Sequence, residues 1–159
     1  MKKSLFTALS LIAFTLPANA QNIDSAHGDW TVFNDGGNTC YIASTPIAQD
    51  GNYTKRGQPY VLVNHKSGGA DEINISSGYP YKKDVDVEVK IDKQKYRLFT
   101  QGEHAWAKDS ITDTKIVNDV QAGSKMIVKG ISRKGTYSID TYSLKGSGAA
   151  YKRMKELCN

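Results

Sequence analysis

Two cysteines, four prolines and three histidines are this 159-residue chain's whole stock of the side chains that most often build reactive thiols, chain kinks and metal centres. His27, His65 and His104 stand far apart, and none belongs to a His-x-x-x-His or Cys/His cluster with metal-ligand spacing. That pattern predicts no metal and no cofactor. His65 and His104 fall at predicted strand ends, where solvated or backbone-bonded imidazoles are the ordinary expectation. No Gly-x-Ser-x-Gly elbow, phosphate-cradling loop or dinucleotide fingerprint occurs, so no catalytic residue is predicted. Long apolar runs are also missing. After residue 20 nothing approaches the roughly 20 apolar residues that a transmembrane helix needs.

The start of the chain is different in kind. Met1-Lys2-Lys3 is basic, Leu5 to Leu16 is apolar apart from small and hydroxyl residues, and Ala18-Asn19-Ala20 is an Ala-x-Ala site. This reads as a secretory signal peptide over residues 1–20, cleaved near Ala20. A periplasmic or secreted location follows. Removing Lys2 and Lys3 leaves 19 basic against 16 acidic residues, so the net charge of +5 falls to +3. So small a charge, spread along the chain, does not describe a nucleic-acid binder. The remainder, residues 21–159, has the length of one domain with one core.

Cys40 and Cys158 are the two cysteines, and an even pair in an exported chain predicts a disulfide. It would tie the C-terminus to the body of the domain. They form no Cys-x-x-Cys unit, which argues against a redox role.

The clearest local signal lies at Asp84 to Ile91, where Val85, Val87, Val89 and Ile91 alternate with Asp84, Asp86, Glu88 and Lys90. Successive strand side chains point to opposite faces, so this is a strand with one buried and one wet side. Asp92 to Gln94 then turn, and Lys95 to Thr100 returns as the second strand of a hairpin. Further strands are predicted at Gly28–Phe33, Thr39–Ser44, Tyr60–Val63, Glu72–Ser76, His104–Ala107, Met126–Ser132 and Thr136–Leu144. Pro46 to Gln58 has no sustained period and reads as a surface loop. Ile116, Val117 and Val120 share a helical face over 113–123, with Asp113 as N-cap and Gly123 just past the end. Ser147 is the expected cap of a last helix, Gly148 to Leu157. About nine short strands without a βαβ rhythm predict an all-β, antiparallel sandwich with one short helix and a C-terminal helix tied on by the disulfide.

Few residues stand out as candidates for function. Asp84, Asp86 and Glu88 share a strand face and are the best carboxylates for glycan hydrolysis, although any solvated sheet face looks the same. Tyr79, Tyr81, Lys82 and Lys83 cluster in a connection beside the central hairpin, and Lys95 and Arg97 lie near its turn. Tyrosines beside cations make adaptable contact surfaces, so these six form the candidate binding surface. Trp30 and Trp106, within strand signals, are expected to anchor the core.

Several segments together resemble the invasion-associated locus B family of exported proteins from Gram-negative bacteria. They are Gly28-Asp29-Trp30, Cys40-Tyr41, Gly78-Tyr79, Ala105-Trp106-Ala107, Asp140 to Gly146 and the terminal Cys158. The resemblance implies an all-β periplasmic or surface-associated domain, in a family named for assisting invasion of host cells. It brings no catalytic residues and no cofactor. Many members carry a further cysteine just after the first-strand tryptophan, where this chain has Phe33 and Asn34. The expected function is therefore a non-enzymatic envelope protein that works by contact with a protein or envelope component. A glycan-binding module or an unrecognised glycan hydrolase is the alternative.

Overall fold

The alternation around Val87, Val89 and Ile91 does form a strand, and it lies within a single antiparallel sheet of eleven. The computed structural model describes residues 22–35 and 38–158. The expected signal peptide and its cleavage site lie outside the described residues. In chain order the elements are β1 (Asn22–His27), β2 (Trp30–Asn34), β3 (Thr39–Ser44), β4 (Ala48–Gly51), β5 (Tyr60–Lys66), β6 (Glu72–Ser76), β7 (Val87–Ile91), β8 (Gln94–Gln101) and β9 (His104–Trp106). After these come α1 (Ser110–Ala122), β10 (Lys125–Ile131), β11 (Tyr137–Ser143) and α2 (Ser147–Leu157).

The strands run in the order β1-β2-β3-β5-β6-β9-β8-β7-β10-β11-β4. β8 joins two halves, because Gln94 to Leu98 pair with β7 while Phe99 to Gln101 pair with β9. Each half has one buried face, shown by Trp30 and Val32, Cys40 and Ile42, and Val61 and Val63 in the first, and by Val87, Val89, Met126, Val128 and Tyr142 in the second. These inner faces share one core with Ile116, Val117 and Val120 of α1 and Ala150 and Met154 of α2. α2 lies over β1, β2 and β3, with α1 beside it over β6.

The expected disulfide is present: Cys40 of β3 is bonded to Cys158, just past α2, across 118 residues of sequence. A second lock sits where β1 turns into β2. Gly28 and Gly146 both have positive φ, and a Cβ on Gly146 would stand 2.0 Å from the His27 carbonyl oxygen, so the two turns interlock through bare backbone. Asp29 N–H donates to the Lys145 carbonyl at 3.0 Å, and the Trp30 indole donates to the Ser143 carbonyl at 3.0 Å. Trp30 is a core anchor, as expected.

Several expectations are corrected. The region 46–58 contains a strand, β4, and β1 precedes the first predicted one, making eleven strands where about nine were expected. β1 and β4 are the two ends of the sheet, and neither buries a residue completely, so neither carries an apolar alternation. The strand at the central hairpin starts at Val87, three residues late, because Asp84 adopts a left-handed turn conformation. α1 starts one turn early: Asp109 is its N-cap and accepts from Thr112 N–H at 2.7 Å. Asp113 instead turns inward and accepts the Ile73 N–H at 2.9 Å. Ser147 does not cap α2, since its hydroxyl donates to the carbonyls of Val120 and Leu144.

Two predictions follow from these ties. Replacing Cys40 and Cys158 together by serine is expected to lower unfolding stability by up to about 5 kcal/mol on the chain-entropy account. Urea titration of oxidised protein against the variant measures this. Separately, two hydrogen bonds from Arg153 of α2, at 2.8 and 2.9 Å, hold the Asp24 carboxyl of β1 down at about 2. A depressed carboxyl stabilises the fold above its ordinary titration range and loses that contribution as pH falls through its folded value. Between about pH 4 and pH 2, Asp24→Asn should therefore lose less stability than wild type, by thermal melts at both pH values.

Candidate functional site

The six residues of the expected binding surface do not come together. Tyr79 and Tyr81 are only 8% and 6% exposed and belong to the core, where their rings meet edge to face at 5.5 Å. Their hydroxyls are engaged as well, Tyr79 with Ser138 Oγ at 2.7 Å and Tyr81 donating to Ser77 Oγ at 2.8 Å. Burial accordingly pushes both phenols above their ordinary range. Lys82 and Lys83 are exposed in the connection between β6 and β7, and Lys95 and Arg97 stand on the outer face of β8. The tyrosines sit inside because a tyrosine whose hydroxyl finds a partner can be buried at little cost.

Beside them lies a buried ion pair. Arg56 donates to both carboxylate oxygens of Asp140, one of these bonds at 2.8 Å, and also to the Ser77 carbonyl at 3.1 Å. Arg56 sits 4.3 Å above the Tyr53 ring centroid. This network ties the segment after β4 to β11. A second polar cluster forms at Asp71, which engages His65 Nδ1 at 2.7 Å and accepts from the Tyr151 hydroxyl at 2.5 Å. His65 is thus a buried, side-chain-bonded imidazole and not a solvated one.

The site itself is the outer face of the sheet's first half. Alternation that sends Val32, Cys40, Ile42, Val61 and Val63 inward sends Thr31, Phe33, Tyr41, Ala43, Tyr60, Leu62 and Asn64 outward. Phe33 and Tyr41 are cross-strand partners, and their rings stack at 4.7 Å and 9°. Asn64 follows in the same row, opposite Tyr41. The outward residues enclose an open cavity of about 660 Å³, with Asp29, Thr45 and Gln58 at its margin.

A parallel row, Leu62, Asn74, Trp106 and Phe99, extends the face across β5, β6, β9 and β8. Trp106 is half-buried on this outer face, while Ala105 takes the inward position that the tryptophan was expected to fill. The His104 ring lies 6.0 Å from Trp106 and 6.4 Å from Tyr60, and its Nδ1 is 3.1 Å from Asn74 Oδ1. Beyond Trp106 a smaller cavity, about 250 Å³, is lined by Glu72, Asp113 and Phe99. Burial, reinforced by Asp113, raises the Glu72 carboxyl, and burial raises that of Asp113. The carboxylates gathered in a cleft are therefore these two. Of the expected three, Asp84 lies in a turn, Asp86 precedes the strand and Glu88 faces Arg97 at 3.5 Å. Among the described residues no cluster of three or more histidine, cysteine, aspartate or glutamate side chains is disposed to hold a metal.

The sequence model of the invasion associated locus B (IalB) protein family matches residues 30–155, most of the chain. The chain belongs to this family. Its fold is also similar to the crystal structure of invasion associated protein B from Bartonella henselae, with a TM-score of 0.62 at 15% identity. The likeness covers 84% of this chain and 96% of that one. No curated protein matches the chain. In the structure the short motifs come together: Gly28-Asp29-Trp30 and Ser143 to Gly146 meet in the interlocked turns, and Cys40 meets Cys158. Among the described residues no helix is long and apolar enough to cross a membrane.

The buried pair generates a prediction. Asp140→Ala leaves the Arg56 guanidinium without its carboxylate in a site where both side chains are at most 3% exposed. Loss of about 3–5 kcal/mol is expected in urea unfolding. Replacing both residues by apolar ones of similar volume should cost much less than the single change.

Proposed function

We propose that this IalB-family chain is an exported envelope protein that acts by contact, not by turnover, and that the partner taken by its concave face is a saccharide. The Phe33–Tyr41 stack beneath a cavity of about 660 Å³ carries this reading. Sugar rings present apolar C–H faces and rims of hydroxyls. Flat aromatic rings receive the first, and groups that donate and accept in one place receive the second. Asn64, Gln58 and Thr31 supply such groups around the stack. The signal-peptide pattern of residues 1–20 supports placing this contact in the periplasm or outside the cell. The family's link with invasion supports a surface glycan of host or envelope as the component met.

A protein partner is the second reading, favoured by the way the face continues to Phe99, which is 43% exposed. A glycan array followed by calorimetry separates the two. Wild type should bind one class of neutral oligosaccharide, and Tyr41→Ala and Tyr60→Ala should each weaken it by roughly fivefold to tenfold, as loss of one stacking ring implies. Unchanged or absent sugar binding in all three proteins removes the saccharide and leaves the protein partner. Turnover of any glycan at a rate abolished by Glu72→Gln would overturn the contact mechanism itself.

A further inference from the structure

The outer face of the second half has a different character. Along β8, β7 and β10 the outward residues are Lys95 and Arg97, Glu88 and Lys90, and Lys125, Ile127 and Lys129. Lys90 stands directly opposite Lys95 on the neighbouring strand. On its other side Lys90 meets Ile127, and Lys129 meets Glu88 and Ile139. Like charges facing each other across strands destabilise a sheet. Among the described residues the one salt bridge on this face joins Arg97 to Glu88, at 3.5 Å, and Lys90, Lys95 and Lys129 have no carboxylate within such a distance.

All of these outward residues except Lys125 line, together with Ile139 of β11, a trough of about 500 Å³. Ile127 and Ile139 are half-buried at its floor, and the lysines are exposed at its rim. Long lysine stems cover apolar surface while their ammonium groups stay in water. The occupant must therefore bring negative charge to the rim and an apolar surface to the floor. A planar bilayer meets raised ammonium groups but does not descend to recessed isoleucines. A single extended strand does both.

We propose that this trough binds a linear anionic polysaccharide, with carboxylates between Lys90, Lys95 and Lys129 and sugar-ring faces over Ile127 and Ile139. The inference stands apart from the saccharide reading of the aromatic face, because it rests on the opposite half of the sheet and on charge. Lys90 and Lys95 stand on neighbouring strands about 4.8 Å apart, and Lys129 lies diagonally across from Lys90 on the strand beyond, so the three ammonium groups ring one end of the trough. Attraction between exposed charges is screened by salt, so binding must weaken as ionic strength rises.

The probe is polygalacturonate, titrated by calorimetry into the exported chain with its disulfide intact, alongside vesicles containing phosphatidylglycerol. Wild type should bind the polysaccharide in low salt, and the double variant Lys90→Glu, Lys129→Glu should lose about tenfold or more in affinity. Lys90→Arg, which keeps the charge, should bind as wild type does. Tyr41→Ala, on the other face, should be unaffected, so failure here and failure of the aromatic groove are told apart. Thermal melts confirm that each variant is folded. No polysaccharide binding, equal binding by the charge-reversed variant, or binding to vesicles alone would each overturn the proposal.

Discussion

One covalent bond sets which way the middle of the molecule faces. Cys40 must point inward to reach Cys158 beyond α2, and strand geometry then turns Tyr41 outward. The same alternation, carried through β2 and β5, puts Phe33 beside Tyr41 and Asn64 next in the row. A register slip of one residue would bury the groove and expose the core. The disulfide, the Gly28–Gly146 interlock and the Trp30 indole bond together oppose such a slip, because each joins the first strands to the end of the chain.

Two solvent faces result, and they differ in chemistry. The first half offers stacked rings with amides and hydroxyls around them, and its marginal charges include Asp29 and Glu72. The second offers lysines around isoleucines. β8 belongs to both, with Lys95 and Arg97 on one half and Phe99 on the other. The small net charge of residues 21–159 therefore conceals a segregated distribution. Such segregation directs a partner to one side of the molecule, where evenly mixed charge would not.

Most interior strands were legible because each has one wet face and one buried face. β1 and β4 were not. As the outermost strands they pair on one side only, and sequences such as Asn22-Ile23-Asp24-Ser25-Ala26-His27 and Ala48-Gln49-Asp50-Gly51 show no apolar period. Charged and polar edges of this kind also discourage pairing with other chains. Tyr79 and Tyr81 misled for the opposite reason: beside Lys82 and Lys83 they look like a surface patch, and only the fold brings Ser138 and Ser77 to their hydroxyls. The groove had a faint signal in Phe33 and Tyr41, since aromatic residues at outward positions of adjoining strands become neighbours once register is known.

By itself the sequence determined the all-β character, the Cys40–Cys158 pairing and membership of the IalB family, because alternation, cysteine count and ordered motifs are properties of the chain in one dimension. Only the tertiary structure decided which aromatics are exposed, which carboxylates share a cleft and which lysines face each other. Those are relations across strands distant in sequence, and register, which follows from the packing of the whole core, is what sets them.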